Sequence, residues 1–222
     1  MIRLNKFIAN AGVCTRKEAD VLISSGKIKV NQQVVNSLGF KLNDGDVVEY
    51  KGKEIKKERL IYLLLNKAKN TSLKEGFLKE LSVLGELDEK TTGLTVLSND
   101  DSLIKRLSNP NALIKQKYII HIQELLSNKH IKELLQGIKV KEEKVVFNEI
   151  KHGKKTVDHH QIIVTVSFVN INLIREALNA LNVEVLYMDR VEYGGIRKGD
   201  LLRGQTRNLE LKEIGFLKMA KI

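Results

Sequence analysis

The 222-residue sequence contains few of the residues that mark several protein classes: one cysteine, one proline and no tryptophan, with 5% aromatic residues. The single cysteine, Cys14, excludes an internal disulfide, so we expect a reducing, cytoplasmic compartment. Its place just before a predicted helix favours a small buried residue over a nucleophile. No stretch approaches the ~20 apolar residues that span a bilayer, and the N-terminus lacks the apolar core of a signal peptide. We therefore expect a soluble, unexported protein with no membrane partner.

Motifs for metals and nucleotides are also missing from the sequence. Its five histidines include the adjacent His159 and His160, but no HExxH or CxxC pattern accompanies them. No glycine-rich phosphate loop of the GxxxxGK[ST] or GxGxxG kind is present. We therefore expect neither a metal nor nucleotide-driven chemistry.

Positive charge is what the sequence has in excess. It holds 38 Lys and Arg residues against 27 Asp and Glu residues, which gives a formal net charge of +11. Such an excess is typical of proteins that bind phosphates or nucleic acids. A basic protein without such a partner would have the same total, so charge alone leaves both possibilities open.

Residues 1–57 predict a small basic domain. Apolar residues at helical spacing predict a first short helix, and a capping box of Thr15 and Glu18 predicts a second helix over Arg16–Ser25. Short strands joined by tight turns follow. From Arg3 to Lys57 there are 11 basic and 6 acidic residues, a net charge of +5. These charges alone are also compatible with a small domain whose basic side chains are simply solvated.

The order of these elements is similar to that of the S4 RNA-binding domain, also called the α-L domain. In that family two helices present basic side chains to folded RNA. The resemblance therefore implies that Arg3, Lys6, Arg16 and Lys17 contact RNA.

Residues 58–222 predict a larger domain. Apolar runs of strand length recur six or seven times, among them KVVFNEI at 144–150 and RNLELKEI at 207–214. Helices are predicted over residues 100–107, 129–136 and 172–181. So many strands with so few helices predict an α+β domain, with helices flanking a mixed or antiparallel sheet, rather than alternating βαβ units.

The stretch LGELDEKTTGL, residues 84–94, contains three carboxylates between apolar flanks. Taken alone, each of these acids reads as a solvated turn residue. Asp88 differs in standing where a loop returns to the sheet, just before Thr91-Thr92-Gly93 and an apolar strand. This arrangement resembles the signature G-R-L-D-x-x-[TS]-[TS]-G-L of pseudouridine synthases that carry an N-terminal S4 domain and modify ribosomal RNA.

Three further segments resemble that family in the same order along the chain. NKAKN is similar to its N-K-P-x-G, KQKYIIHI to its K-x-Y-x-V strand, and NLIREALNALNVEVLYMDRVEYG to a helix beginning Q-[IV]-R-R and the strand after it. The resemblance implies an S4 domain followed by a pseudouridine synthase domain. It also implies isomerisation of a uridine in ribosomal RNA, of the large subunit by motif spacing, without a cofactor. We expect the protein to be a monomer. Its expected partner is ribosomal RNA or an assembling ribosomal subunit.

The family resemblance assigns roles to four residues of the second domain. Making pseudouridine breaks the bond from ribose C1′ to uracil N1 and reattaches the base through C5, and a carboxylate such as Asp88 can attack the sugar or remove a proton. Arg175 would keep that carboxylate ionised. Tyr118 would stack on the uracil and its hydroxyl could assist proton transfer. Lys67, in NKAKN, would contact the RNA. Without the resemblance, Tyr118 reads as an ordinary strand aromatic and Arg175 as a surface cation.

The sequence departs from the family pattern beside these residues. Glu86 replaces the Arg of G-R-L-D, which reverses a charge next to RNA, and Ala68 and Asn70 replace the Pro and Gly of N-K-P-x-G. Leu173 and Glu176 replace the Gln and second Arg of Q-[IV]-R-R. Two functions therefore remain open: an active uridine isomerase, or a catalytically inactive homologue that binds ribosomal RNA as an assembly factor or ribosome component.

Overall fold

The computed structural model describes residues 1–56, 60–71, 80–152, 160–167 and 170–220, so His159 lies outside the described residues. The chain divides into two units, Met1–Arg59 and Leu60–Ile222. None of the helices in the described ranges is both long and apolar enough to cross a membrane.

The N-terminal unit combines two short helices with short antiparallel strands. Its elements are β1 (Ile2–Arg3), α1 (Leu4–Asn10), α2 (Arg16–Ser24), β2 (Ile28–Val30), β3 (Gln33–Val34), β4 (Lys41–Leu42), β5 (Val48–Tyr50) and β6 (Lys53–Glu54). β1 pairs with β4, and the other strands form a sheet in the order β3-β2-β5-β6. The predicted capping box is present at α2, where the Thr15 side chain accepts a hydrogen bond from the Glu18 amide and the Glu18 side chain accepts one from the Thr15 amide.

One apolar core holds this unit together. Leu4 and Ile8 of α1 and Ile23 of α2 are almost completely buried, and they pack with Ile28 and Val48 of the sheet. The apolar spacing along both helices puts these residues on one face, so the basic residues between them are left on the solvent side.

The C-terminal unit is built on a large mixed sheet. Its strands are β7 (Tyr62–Lys67), β8 (Ser82–Leu84), β9 (Thr92–Ser98), β10 (Gln116–Ile122), β11 (Ile138–Val140), β12 (Glu143–Val145), β13 (Glu149–His152), β14 (Gln161–Val166), β15 (Val185–Tyr193), β16 (Ile196–Arg197) and β17 (Thr206–Asn208). Its helices are α3 (Asp101–Leu107), α4 (Asn128–Gln136), α5 (Asn172–Asn179) and α6 (Leu211–Met219). The main sheet has the order β13-β14-β10-β15-β9-β7-β17, with β16 beside β15 and β8 beside β9, while β11 and β12 form a separate hairpin.

One pair in the main sheet is parallel. β15 and β9 run in the same direction, with Asp189 opposite Thr92 and Arg190 opposite Gly93, whereas the other strand pairs of the described sheet are antiparallel. The mixed sheet with flanking helices confirms the predicted α+β class. The parallel pair also places the start of β9, and so the loop that contains Asp88, against the middle of β15.

Two apolar clusters flank this junction. On one side, α5 packs on β10, β14 and β15 through Ile174 and Leu178, in a cluster that also contains Leu87 and Tyr118. On the other side, α3 and α6 contribute Leu103 and Leu217 to a cluster with residues of β7 and β9. The Asp88 loop therefore lies where two separately packed parts of the sheet meet.

The single strand predicted over residues 144–150 was wrong, because this stretch belongs to two separate strands. β12 ends at Val145 in the small hairpin, and β13 begins at Glu149 in the main sheet. Between them Phe147 is buried, and its amide donates to the carbonyl of Leu134 at the end of α4. The apolar run is continuous because Val145 and Phe147 enter the same core, although they do so from different elements.

The strand predicted over residues 207–214 was also wrong, because the second half of this segment is helical. β17 ends at Asn208 and α6 begins at Leu211, after a capping box formed by Glu210 and Glu213. The alternation of Leu209 and Leu211 resembles a strand, yet Leu211 is 89% exposed. The helix was missed because a Glu at the N-cap is a weaker start signal than Ser, Thr, Asp or Asn.

Candidate active site

Asp88 lies in the loop between β8 and β9, and that loop is shaped by local contacts. Its Oδ1 accepts a hydrogen bond of 2.6 Å from the Thr91 amide. At the beginning of the loop, Gly85 has a left-handed φ of +65°, and a Cβ there would collide with the Tyr193 ring and the Arg190 guanidinium. A glycine is therefore needed for the loop to pass this close to the sheet.

Lys67, at the end of β7, holds the same loop from inside. Its Nζ donates to the carbonyl oxygens of Asp88 at 3.0 Å, of Thr91 at 3.1 Å and of Ala68 at 3.3 Å. Burial lowers the pKa of Lys67, and the nearby charges of Asp88 and Glu89 oppose that change. The residue is only 3% exposed. This differs from the predicted RNA contact: the ammonium of Lys67 points at backbone carbonyls, so it orders the loop instead of facing a phosphate.

Arg175 of α5 reaches the Asp88 carboxylate from the other side. Its Nε lies 3.5 Å from Asp88 Oδ2, and its Nη2 donates to Thr91 Oγ1 at 3.0 Å. Both side chains are partly exposed, at 21% for Arg175 and 33% for Asp88, so the pair borders solvent. The structure thus brings together two of the predicted catalytic residues, with Thr91 bonded to both.

The surroundings of Asp88 favour its ionised form. Partial burial raises the pKa of this carboxyl, but hydrogen bonds from Thr91 and the positive charges of Arg175 and Lys67 outweigh burial and hold the pKa below its ordinary value. A carboxylate held this way is charged at neutral pH and stays in one orientation. Either role expected of it, attack on the sugar or removal of a proton, requires that charged form.

A cavity of about 420 Å³ opens beside Asp88. Its walls include the polar residues Glu86, Asp88, Ser108, Asn170 and Asn172. The volume falls within the range of about 300–1,000 Å³ that is common for small-ligand pockets, which is enough for a nucleoside. Glu86, which replaces an Arg of the family pattern, is therefore part of the cavity that Asp88 borders. Within the described residues, no group of His, Cys, Asp and Glu side chains could hold a metal ion.

Tyr118 of β10 lies below this loop in the core. It is completely buried and belongs to the same apolar cluster as Leu87, the residue before Asp88. Its hydroxyl donates to Gln116 Oε1 at 2.7 Å and lies 3.5 Å from Nη1 of Arg190. Burial raises the pKa of the Tyr118 hydroxyl, while the charge of Arg190 lowers it. The predicted stacking residue is therefore close to the site, but it is anchored in the core.

Arg190 and Asp189, which the sequence analysis did not select, make the junction between β15 and β9. Asp189 Oδ1 accepts from Thr92 Oγ1 at 2.8 Å and pairs with Arg203 Nη2 at 2.6 Å. Arg190 is 1% exposed and donates to backbone carbonyls on both sides of the Asp88 loop. Two adjacent charged residues in the middle of the largely apolar strand VLYMDRVEY were the available signal, because charged residues are almost never fully buried without partners.

The basic residues predicted to bind RNA in the N-terminal unit are all exposed: Arg3, Lys6, Arg16 and Lys17. Arg16 and Lys17 open α2, where their charge opposes the helix dipole and where a phosphate would be favourable. These four side chains are free to meet a polyanion, whereas Lys67 is not.

Comparison with known proteins finds similar sequences for both units of the chain. The S4 domain family model matches residues 2–48. The chain is 30% identical over 236 residues to an uncharacterized RNA pseudouridine synthase of Aquifex aeolicus, covering 97% of this chain and 93% of that protein. It is 29% identical to ribosomal large subunit pseudouridine synthase B of Bacillus subtilis, covering 96% and 94% of the two chains. It is 26% identical to ribosomal small subunit pseudouridine synthase A of Vibrio vulnificus, covering 96% and 98%.

A solved structure of similar fold agrees with these matches. The crystal structure of a pseudouridylate synthase superimposes with a TM-score of 0.64 at 24% sequence identity, and the alignment covers 98% of this chain and 100% of that one. The shared fold extends over both units in sequence, and the identity to the Aquifex protein extends over nearly the whole chain. On this evidence the chain belongs to the family of RNA pseudouridine synthases.

Proposed function

We propose that this protein converts a uridine of large-subunit ribosomal RNA to pseudouridine in the cytoplasm, with residues 58–222 as the catalytic domain and residues 1–57 as the RNA-binding domain. The observation that carries the proposal is the Asp88 carboxylate at 3.5 Å from Arg175, on the wall of an open polar cavity. Ribosomal RNA is the proposed substrate because the Bacillus and Vibrio relatives are named as pseudouridine synthases of the ribosomal subunits. The large subunit is preferred because the Bacillus protein is the more similar of the two.

The reaction requires little from the protein beyond one reactive group and a fixed geometry. The bond from C1′ to N1 breaks, a bond from C1′ to C5 forms, C5 loses a proton and N1 gains one, so no net oxidation occurs and no group is added. Asp88 acts at the sugar, by attack or by removing a proton, and both require the ionised carboxylate. Arg175 and Thr91 hold that carboxylate charged and oriented.

The substrate uridine has to leave its stack to reach the cavity, which costs a few kcal/mol. Phosphate contacts from Arg3, Lys6, Arg16 and Lys17 offset part of that cost, because their exposed charges attract the RNA backbone regardless of sequence. Tyr118 is fully buried in the same cluster as Leu87, so it supports the base indirectly, from beneath the loop.

The test is pseudouridine mapping of ribosomal RNA after single-turnover reactions with the purified full chain. Four substrates are compared: protein-free large-subunit RNA, protein-free small-subunit RNA, and the assembling particle of each. We expect one new pseudouridine in large-subunit RNA. Conversion confined to small-subunit RNA would contradict the subunit assignment. Binding without conversion on every substrate would instead support the catalytically inactive ribosome-assembly function.

A further inference from the structure

Arg190 is a buried cation whose hydrogen bonds all go to neutral groups. It is 1% exposed, and in the part of the chain that the structure describes it forms no ion pair with a carboxylate. Its guanidinium instead lies 4.5 Å from the centre of the Tyr193 ring, a cation–π distance. Burying a charge without a counter-ion is costly unless its donors are satisfied, so the bonds that Arg190 makes are the reason it can be there.

Those bonds join both ends of the Asp88 loop. Nε donates to the carbonyl of Leu94 at 2.6 Å, and Nη2 donates to the carbonyl of Gly85 and to Thr95 Oγ1, the latter at 3.0 Å. Gly85 lies three residues before Asp88, and Leu94 lies three residues after Thr91. One planar group therefore holds the strand that enters the loop and the strand that leaves it.

The remaining arm of the guanidinium reaches Tyr118. Nη1 donates to Gln116 Oε1 at 2.9 Å and lies 3.5 Å from the Tyr118 hydroxyl oxygen, while that hydroxyl donates to the same Gln116 oxygen at 2.7 Å. Arg190 has no acceptor, so the phenol oxygen can only accept on the side that faces it. The Tyr118 proton is thereby directed to Gln116, and the ring is held in one orientation.

We propose that Arg190 is a positioning residue for the isomerisation, which fixes Tyr118 and its hydroxyl relative to the Asp88 loop through Gln116. The proposal rests on the proposed function, because it assumes that both Asp88 and Tyr118 serve the reaction. The planar guanidinium of Arg190 has five N–H donors and can bond to Gly85, Leu94 and Gln116 at once. A lysine ammonium is compact and could not reach all three. The free-energy cost of burying this charge is then offset because Arg190 aligns Tyr118 with the Asp88 loop.

The test compares Arg190→Lys with a second variant, Gln116→Met, which removes the acceptor that Arg190 and Tyr118 share but keeps the bonds of Arg190 to the loop. The control is Arg197→Lys, since Arg197 pairs with Glu192 at 3.0 Å and its side chain is 78% exposed. Each protein is labelled with ¹³Cζ-tyrosine, and the Tyr118 signal among the five tyrosines is identified by its loss in Tyr118→Phe. Folding is checked by thermal denaturation and RNA affinity by titration.

We expect the Tyr118 signal to move in Arg190→Lys and in Gln116→Met but not in Arg197→Lys. We also expect single-turnover conversion to slow at least tenfold in the first two proteins, with RNA affinity within threefold of the parent. An unmoved Tyr118 signal in either folded variant would overturn the positioning role, whether or not the parent is active. A moved signal with conversion at the parent rate would overturn its importance for the reaction. A parent protein that converts no uridine would instead refute the proposed function, and the Tyr118 signal would still decide whether Arg190 orients the residue.

Discussion

Arg175 and Asp88 face one another across 3.5 Å at the border of a polar cavity, and Thr91 bonds to both of them. The pair joins α5 to the loop before β9, two elements that are far apart in the sequence. Because Thr91 donates its amide to one partner and accepts with its hydroxyl from the other, the carboxylate and the guanidinium keep a fixed separation.

Replacing Asp88 with Asn should abolish isomerisation while leaving RNA affinity within about threefold, or ~0.7 kcal/mol. The substitution keeps the shape of the side chain but removes the charge needed for attack or proton removal. Single-turnover conversion and RNA titration measure the two effects. Glu89→Gln is the matched control, since it neutralises the next, exposed carboxylate and should convert at the parent rate. Conversion by Asp88→Asn at the parent rate would rule out the mechanism.

Removing the charge of Arg175 should move the acid limb of the pH–rate profile to higher pH. The pKa of Asp88 lies below its ordinary value, so the parent carboxylate stays ionised and the rate should remain level from about pH 8 down to about pH 5. In Arg175→Met the pKa of Asp88 rises, because a cation that favoured the ionised form is gone. Arg175→Lys keeps the charge and should keep the limb near its parent position. Identical acid limbs in Arg175→Met and the parent would show that the charge of Arg175 does not keep Asp88 ionised.

Lys67→Met should lower the free energy of unfolding by roughly 1–3 kcal/mol, because it leaves the carbonyls of Asp88 and Thr91 without a donor in a buried place. Urea denaturation measures this loss. Lys90→Met, in the same loop but exposed, should change stability by less than about 0.5 kcal/mol. The slope of log K against log salt should be the same for both variants. A slope reduced by about 0.7–0.9 in Lys67→Met alone would restore the phosphate contact that the sequence suggested.

The double substitution Arg16→Gln, Lys17→Gln should flatten the salt dependence of RNA binding. Each lost phosphate contact lowers the log–log slope by about 0.9 on duplex and about 0.7 on single strands, so two lost contacts lower it by up to about twice that amount. Lys129→Gln, Lys139→Gln removes the same charge from exposed positions in the C-terminal unit and serves as the control. Equal slopes in the two double variants would mean that net charge, rather than the start of α2, determines RNA binding.

Gly93→Ala should destabilise the fold much more than Gly45→Ala. Both glycines have left-handed backbones, with φ of +111° and +93°, so both substitutions introduce backbone strain. A Cβ at Gly93 would also collide with the backbone of Arg190, whereas the space around Gly45 is open. We expect a difference of at least ~2 kcal/mol in the free energy of unfolding, measured by chemical denaturation. Equal losses would show that the close approach of β9 to β15 tolerates a side chain.

Local patterns predicted much of this fold because the forces that shape its elements are local. The capping box of Thr15 and Glu18 begins α2 as expected, since two backbone donors and two side-chain acceptors lie within four residues. The apolar run before Lys67 forms a strand, β7, in which every residue is buried. The predicted helices also agree with α3, α4 and α5 to within two residues. These features depend on residues that are neighbours in sequence.

Contacts between distant segments were harder to predict from one sequence. Periodicity shows which face of a strand is buried, but it does not show which backbone carbonyls lack donors, so the burial of Lys67 among loop carbonyls was missed. The same limit applies to Arg190, whose acceptors belong to strands that meet only in the folded sheet. Asp88, Tyr118 and Arg175 were selected by family resemblance, because spacing alone would have left each an ordinary turn, core or surface residue.

The parallel contact between β15 and β9 has a consequence for how the protein folds. It pairs Asp189 with Thr92 across nearly half the chain, whereas hairpin-like neighbours such as β7 and β9 are closer in sequence. Contacts of long sequence separation are slow to form, because loop-closure entropy is lost before they contribute stability. The Asp88 loop receives the donors of Arg190 only when β15 docks, so we expect the Asp88 carboxylate to become ordered late. A newly synthesised chain would then pass through a stage in which its N-terminal unit can bind RNA before the proposed active site is ordered.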